Sequence, residues 1–217
     1  LARTSLPMLV LGETGTGKSA LAERIVHPAT GRRGPFVAVD LASIPENLAA
    51  AELFGTTRGA FSGAVDRRGR FEEAHGGTLF LDEIGNLPAE AQRMPLLALQ
   101  DGRITRLGES RPRVVDVKLV AATNADLRAR VESGSFRSDL YARLNPAARL
   151  VLPPLRERVE DLLELAAVFV RRKLATGPDR ELLAEYLEAA GLGGAPNAEL
   201  LLRTRRVAPP PRGVALV

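Results

Sequence analysis

The stretch "GETGTGKS", residues 12–19, decides the fold of this 217-residue chain. It fits the pattern G-x-x-x-x-G-K-[S/T], with the strand-like run "MLVL" (8–11) before it and a helical pattern after it. Glycines let such a loop surround a phosphate chain with its backbone N–H groups. The positive amino end of the next helix attracts the negative charge of the phosphates. The alternative is a glycine-rich turn that matches by chance. We predict a loop that binds ATP, formed by Gly12, Glu13, Thr14, Gly15, Thr16, Gly17, Lys18 and Ser19.

Short apolar runs alternate with helical patterns around this loop. Strands are predicted at 8–11, 36–39, 78–82, 117–123 and 148–152, and helices at 19–26, 45–54, 89–99 and 125–131. Such alternation is typical of an α/β fold, in which helices cover both faces of a parallel sheet.

The pattern changes after "PPL" (153–155), where apolar residues recur at helical spacing. We therefore expect an α/β nucleotide-binding subdomain over 1–154 and a small α-helical subdomain over 155–207. The last residues, 208–217, contain three consecutive prolines and are expected to form a tail that is not helical.

Composition excludes several classes of protein. The chain has no cysteine, so it has neither a disulfide framework nor a thiolate metal site, which fits a cytoplasmic protein. It has no apolar run long enough for a membrane span, and none is expected. The net charge of +4 is a weak signal for nucleic-acid binding.

Carboxylates follow the apolar run of "GGTLFLDEI" (76–84), where ligand sites of parallel sheets form. Asp82 and the Ser19 hydroxyl are suited to hold Mg²⁺, while Glu83 is placed to polarise the water that attacks the γ-phosphorus. Lys18 would contact the β- and γ-phosphates. Asn124, at the end of "VKLVAATN", either contacts the γ-phosphate or caps the helix that follows.

These blocks, with "AELFGTTRGAFSGA", "GRITRLGE", "FRSDLYARLN" and "LPPLRER" in the same order, resemble the central AAA+ domain of bacterial enhancer-binding proteins. Those proteins activate sigma-54-dependent transcription, and the resemblance covers about residues 5–175. It implies a P-loop AAA+ fold with a helical lid, Mg²⁺-dependent ATP hydrolysis, and a homo-oligomeric ring of six or seven subunits. The implied partners are sigma-54 and RNA polymerase.

The loop "GAFSGA" is the most family-specific part of the resemblance. In the family it projects from the pore face of the ring and its aromatic residue contacts sigma-54; the second insertion (102–117) resembles the hairpin that supports it. Ser62 replaces the usual threonine and keeps the hydroxyl. The alternative is a tight turn with its phenylalanine in the core. The resemblance implies partner contacts by Gly59, Ala60, Phe61, Ser62, Gly63 and Ala64.

Arg137 and Arg143 match the two arginines of the family that enter the ATP site of the neighbouring subunit. A cation there compensates the charge that develops on the γ-phosphoryl oxygens and accelerates hydrolysis by roughly 10³ to 10⁵. From the residues alone, two arginines on a helix are more often part of surface ion pairs. A finger that acts in trans implies a head-to-tail ring.

The sequence departs from the family at several positions. Ser19 stands where glutamate is common in the family. Asp40 stands where the family has an asparagine that holds the catalytic glutamate, which the resemblance identifies as Glu83. An ionised aspartate cannot donate that hydrogen bond, so we expect looser coupling between target contact and hydrolysis.

The lid and the C-terminal end depart as well. The family's lid arginine is missing from "APNAELLLRTRRV" (195–207), and no helix-turn-helix pattern follows residue 207. DNA binding is therefore not expected from this chain. The departures leave two alternatives open: a degenerate nucleotide-binding or assembly module without efficient hydrolysis, and an AAA+ ATPase that acts on another protein or on DNA.

Overall fold

The computed structural model describes residues 2–144, 146, 149–161, 165 and 168. Contacts divide the chain into two units, Leu1–Pro154 and Leu155–Val217. In the first unit the strands are β1 (Met8–Leu11), β2 (Phe36–Asp40), β3 (Gly55–Thr56), β4 (Arg67–Arg68), β5 (Thr78–Asp82), β6 (Arg103–Ile104), β7 (Arg113–Val114), β8 (Lys118–Thr123) and β9 (Leu150–Val151). Its α-helices are α1 (Lys18–Leu21), α2 (His27–Thr30), α3 (Glu46–Phe54), α4 (Arg70–Glu73), α5 (Arg93–Asp101), α6 (Leu127–Glu132) and α7 (Ser138–Arg143).

Five strands form one parallel sheet in the order β2-β5-β8-β1-β9. Residues that alternate along β1, β5 and β8 enter two separate apolar clusters. One cluster contains Leu9, Leu81 and Ala121, and the other contains Val10 and Phe80. Because both faces are buried, the strands read as continuous apolar runs in the sequence. The predicted α/β fold with a parallel sheet is confirmed.

Some element bounds differ from the prediction. The helix after the glycine-rich loop extends beyond residue 26, because a π-helical segment (Ala22–Val26) connects α1 to α2. α2 ends at Thr30 and is followed by Gly31, whose φ is 71°. The helix predicted from residue 89 begins at Arg93, after a turn in which the Ala91 N–H donates to the Pro88 carbonyl. The last predicted strand is shortened to Leu150–Val151.

A second set of short strands lies outside the main sheet. β3 pairs with β4 and β6 pairs with β7, both antiparallel, while Leu107 bridges to Thr56. Gly55 and Gly69 approach closely here: a Cβ on Gly69 would lie 2.3 Å from the Gly55 backbone nitrogen. The loop 59–64 lies between β3 and β4. The strand before it also contacts a segment distant in sequence, through the bridge between Thr56 and Leu107.

In the second unit, the described residues include a 3₁₀ helix, Leu155–Glu157, and an ion pair between Arg158 and Asp161 at 3.5 Å. The predicted helices of 155–207, the segment 195–207 and the tail 208–217 lie almost wholly outside the described residues. The division into a nucleotide-binding subdomain, a lid and a tail therefore stays a prediction.

Candidate nucleotide-binding site

The glycine-rich loop connects β1 to α1 at the carboxyl edge of the parallel sheet. Gly15 and Gly17 adopt φ angles of 85° and 94°, which L side chains rarely adopt. A Cβ on Gly12 would lie 2.9 Å from the Leu152 carbonyl oxygen. The sequence therefore needs glycine here for backbone conformation and for close packing against the end of the sheet.

Lys18 turns its ammonium group back onto the loop that precedes it. The side chain is 5% exposed, and Nζ donates to the carbonyl oxygens of Gly12 at 2.9 Å and Glu13 at 3.3 Å. The same Nζ lies 3.5 Å from Oε1 of Glu83. A buried cation is thus held at the mouth of the loop, where a phosphate chain would compete for it.

Ser19 and Asp82 meet across the site. Ser19 Oγ donates to Oδ2 of Asp82 at 3.3 Å, and Oδ1 of Asp82 accepts from the Glu83 N–H at 3.1 Å. Hydroxyl and carboxylate oxygens are ligands that Mg²⁺ accepts alongside phosphate oxygens and water. Within the described part of the chain, no group of three or more His, Cys, Asp or Glu side chains is arranged to hold a metal. The Ser19 hydroxyl and the Asp82 carboxylate therefore fit a Mg²⁺ ion whose other ligands would be phosphate oxygens of a nucleotide and water.

Glu83 adopts a left-handed backbone conformation with φ 51°, alone among the non-glycine residues that the structure describes. Its Oε2 accepts hydrogen bonds from Thr123 Oγ1 at 3.2 Å and from the Asn124 N–H at 3.1 Å. Such a conformation costs on the order of 1–3 kcal/mol and persists where the surroundings enforce it. Here Lys18, Thr123 and Asn124 hold the carboxylate from three directions.

Asn124 follows β8, and its Nδ2 donates to Thr14 Oγ1 at 3.0 Å, so the amide faces the glycine-rich loop. The helix after it is capped by another residue: the Asp126 side chain accepts from the N–H groups of Arg128 and Ala129. The alternative of Asn124 as the helix cap is therefore wrong.

Asp40 ends β2 beside the end of β5, in register with Asp82. Its Oδ1 accepts from the Ala42 N–H at 2.9 Å, and among the residues described it makes no hydrogen bond to Glu83. A cavity of about 590 Å³ gathers these groups, with Lys18, Ser19, Asp40, Asp82, Glu83 and Asn124 in its wall.

The loop 59–64 is a surface turn between β3 and β4. Gly59 and Gly63 have φ angles of 86° and 82°, and Phe61 is 48% exposed. The alternative of a phenylalanine buried in the core is excluded. On its inner side, Thr57 N–H donates to the Leu107 carbonyl at 3.0 Å, which ties the loop base to the second insertion.

Arg137 and Arg143 lie at opposite ends of α7, and neither lines the cavity of their own chain. The Arg137 guanidinium binds both carboxylate oxygens of Asp139, at 3.0 and 2.7 Å, and lowers the pKa of Asp139. Nη2 of Arg143 donates to the Leu99 carbonyl at 3.2 Å. The structure therefore does not bring these arginines to the glycine-rich loop of the same chain.

Two residues near these groups were not predicted. Thr123 contacts Glu83 through its hydroxyl, and Gln92 is fully buried beside the backbone of Arg137. Thr123 carries a signal that could have been used, since it is a hydroxyl residue at a strand end next to Asn124. Gln92 gives none, because a glutamine near a helix start is usually exposed.

The family model described as "Sigma-54 interaction domain" matches residues 1–148. The nitric oxide reductase transcription regulator NorR2 of Cupriavidus necator is 54% identical over 171 residues, which are 78% of this chain and 33% of that protein. The DNA-binding transcriptional regulator NtrC of Escherichia coli K12 is 46% identical over 194 residues, 88% of this chain and 41% of that protein. The chain thus spans about a third to two fifths of these relatives.

Solved structures agree with the fold. NtrX from Brucella abortus, crystallised in complex with ATP, has 34% sequence identity and a TM-score of 0.71 over 80% of this chain and 37% of that one. The Hsp104:casein complex of S. cerevisiae has 19% identity and a TM-score of 0.61 over 92% of this chain and 39% of that one, which concerns the fold alone. The predicted AAA+ fold is confirmed. None of the described helices is long and apolar enough to cross a membrane.

Proposed function

The chain belongs to the sigma-54 interaction domain family, and from that premise we propose that it hydrolyses ATP with Mg²⁺ in a homo-oligomeric ring. The ring would use the loop 59–64 to remodel the closed complex of RNA polymerase with sigma-54 in the bacterial cytoplasm. One observation carries the enzymatic part: a cation, a hydroxyl, two carboxylates and an amide from three separate segments line one cavity. They belong to Lys18 and Ser19, to Asp82 and Glu83, and to Asn124.

Binding would exchange contacts within the chain for contacts with phosphate. The Lys18 ammonium leaves the carbonyl oxygens of Gly12 and Glu13 for the β- and γ-phosphates, whose charge attracts it more strongly. The N–H groups of the loop and the amino end of α1 support the same anion. Ser19 and Asp82 would hold Mg²⁺, which neutralises the charge on the phosphate oxygens when bound.

Glu83 is the group that we assign as the general base. Its carboxylate is oriented by Thr123 and Asn124 and can accept the proton of a water that attacks the γ-phosphorus. Asn124 hydrogen bonds to Thr14 and would turn its amide to the γ-phosphate once the loop is filled. The two roles need no rearrangement of the sheet.

We propose that Arg137 and Arg143 act in the site of the neighbouring subunit, because they match the two arginines of the family and do not line the cavity of their own chain. Arg137 would exchange the Asp139 carboxylate for the γ-phosphate of the neighbour. The exchange should cost little free energy, because solvent screens an ion pair whose side chains are this exposed. Such a donation in trans requires a head-to-tail ring.

The test of hydrolysis is phosphate release and nucleotide binding by the purified chain. Lys18→Ala should lose both ATP binding and turnover, whereas Glu83→Gln should keep ATP binding and lose turnover by at least about 10²-fold. Glu132→Gln, an exposed carboxylate on α6, is the matched control and should match the wild type. ATP binding without turnover by the wild type at high protein concentration would favour the module that assembles without hydrolysis.

The test of the target is capture of purified sigma-54 in the presence of a transition-state analogue of ATP. Phe61→Ala should abolish capture and leave ATP turnover within about twofold, because an exposed aromatic anchor contributes contact energy rather than core packing. Ile25→Ala, which truncates a side chain that is 62% exposed outside the loop, is the control. Capture that survives Phe61→Ala would favour a different target.

A further inference from the structure

Gln92 immediately precedes α5 and has no exposed surface. Its Nε2 donates to the carbonyl oxygens of Leu87 at 2.9 Å and Ser135 at 3.1 Å, and its Oε1 accepts from the Arg137 N–H at 2.8 Å. Both donors of the amide and its oxygen are therefore used. A buried amide with all its groups bonded has one preferred position, because a buried donor or acceptor that loses its partner cannot exchange it for water.

The partners of Gln92 belong to two segments with assigned roles. Leu87 follows Glu83 after a single 3₁₀ turn, Ile84–Asn86. A movement of the segment that carries the general base would therefore also move the Leu87 carbonyl. Arg137 is the first residue before α7, and its side chain is the proposed arginine finger. The Gln92 amide thus connects the segment after Glu83 to the backbone of Arg137, whose side chain is proposed to act in the neighbouring subunit.

A second contact runs parallel to the first. The Arg130 guanidinium donates to the Gly85 carbonyl, and the Arg130 carbonyl accepts from the Phe136 N–H at 3.0 Å. The residues before Arg137 are therefore tied to the residues after Glu83 at two places. α5 itself also supports the other arginine, since the Leu99 carbonyl binds Arg143.

We propose that Gln92 is a positioning residue that couples the state of the chain's own nucleotide site to the placement of Arg137 in the neighbouring site. When the segment 84–87 moves with the Glu83 carboxylate, the Gln92 amide carries the movement to the Arg137 backbone, because bending away would leave buried donors unpaired. This inference rests on the proposed function, in which Arg137 acts in trans.

The test uses Gln92→Met, which keeps the side-chain volume and removes all three hydrogen bonds. Turnover should fall by about 10²-fold, the loss expected when a catalytic group is misplaced by about 1 Å. The affinity for ATP should stay within about threefold of the wild type, because Lys18 and the glycine-rich loop of the variant are intact. Gln92→Glu, which keeps the acceptor for the Arg137 N–H but loses both donors, serves as the second variant if the first folds poorly.

Subunit mixing separates positioning from a structural defect. Glu83→Gln subunits are inactive but present an intact finger, so an excess of them should raise turnover per Gln92→Met subunit at least tenfold. The same excess should rescue Arg137→Ala, whereas mixing Gln92→Met with Arg137→Ala should rescue neither. A defect in the variant's own pocket would not respond to the neighbour.

The outcomes distinguish failure of the inference, of the arginine finger and of the proposed function. Rescue of Arg137→Ala without rescue of Gln92→Met or Gln92→Glu would overturn the inference alone. Full turnover by unmixed Arg137→Ala would overturn the finger and the inference with it. Absence of turnover in the wild type would overturn the proposed function.

Discussion

The carboxylate of Glu83 accepts a hydrogen bond from the Thr123 hydroxyl at 3.2 Å, across the ends of two neighbouring parallel strands. The same hydroxyl accepts from the Ala125 N–H at 3.0 Å, so its proton is directed to the carboxylate. The general base that we propose is thus oriented from β8, next to the residue that faces the glycine-rich loop.

Thr123→Val should therefore lower kcat for ATP by about tenfold with little change in KM, because a hydrogen bond to a charged group contributes about 1.5–3 kcal/mol. Thr123→Ser keeps the hydroxyl and should retain most of the wild-type kcat. The measurement is steady-state phosphate release over a range of ATP concentrations. Equal activity of the valine and serine variants would show that the hydroxyl does not orient Glu83.

Asp40 lines the same cavity as Glu83, and its carboxylate accepts from the Ala42 N–H. We predict that a hydrogen-bond donor at this position would restrain Glu83. Asp40→Asn keeps an acceptor for the Ala42 N–H and adds a donor, so basal turnover without sigma-54 should fall several-fold, up to about tenfold. The stimulation by sigma-54 should rise correspondingly. Asp101→Asn, at the exposed end of α5, is the control. Unchanged basal turnover in the Asp40 variant would count against looser coupling in the wild type.

Arg106 in the second insertion binds Glu72 on α4 through two hydrogen bonds, at 2.6 and 2.8 Å. The side chains are 10% and 13% exposed, so removal of one partner leaves a largely buried charge without its two hydrogen bonds. Without Arg106, Glu72 retains a longer ion pair with Arg113, at 3.7 Å. Arg106→Met should lower Tm by about 5 °C, consistent with a loss of roughly 2 kcal/mol in a chain of this size.

The double variant Arg106→Met, Glu72→Gln should lose less stability than the sum of the single variants, because neither charge is left without the hydrogen bonds that the other supplied. Glu132→Gln removes an exposed ion pair with Arg128 and should leave Tm unchanged. Thermal melting followed by circular dichroism measures the Tm of the single variants, the double variant and the control. Additive losses at Glu72 and Arg106 would mean that the pair does not fasten the insertion to α4.

The long elements could be predicted because their patterns are local. "MLVL" and the "LFL" of "TLFLD" are continuous apolar runs. Asp82 ends the second strand and Ser19 follows the loop after the first, so both lie at the same edge of the sheet. β3 and β4 could not be predicted in this way, because strands of two residues carry no periodicity. Their pairing depends on close backbone approach at Gly55 and Gly69, which is a property of the folded chain.

The same limit applies to the residues around the site. The sequence placed Lys18 at a helix start and Glu83 and Asn124 at strand ends. The structure brings all three to one cavity, while their roles stay predictions. Gln92 could not be singled out, since its partner residue Arg137 lies 45 positions away along the chain. Burial of a polar side chain depends on such distant partners, which a local pattern does not contain.

Lys118 provides a test that depends on pH. It begins β8 with no exposed surface, and its Nζ donates to the carbonyl oxygens of Thr4 at 3.0 Å and Leu6 at 2.6 Å. Burial, with a smaller contribution from the charge of Arg32, lowers the pKa of Lys118 from 10.5 to about 8. The unfolded chain therefore binds a proton more tightly at this residue than the folded chain does.

Between pH 8 and 10.5 the unfolded state carries more protons at Lys118, so this residue should make the free energy of unfolding rise with pH in that window. Lys118→Met removes the titration and the hydrogen bonds together. The Tm of the wild type minus that of the variant should be constant below about pH 7.5 and should increase from pH 8 to pH 10. Other titrating groups are common to both proteins and cancel in this difference. A difference that stays flat or falls over that range would mean that burial does not lower the pKa of Lys118.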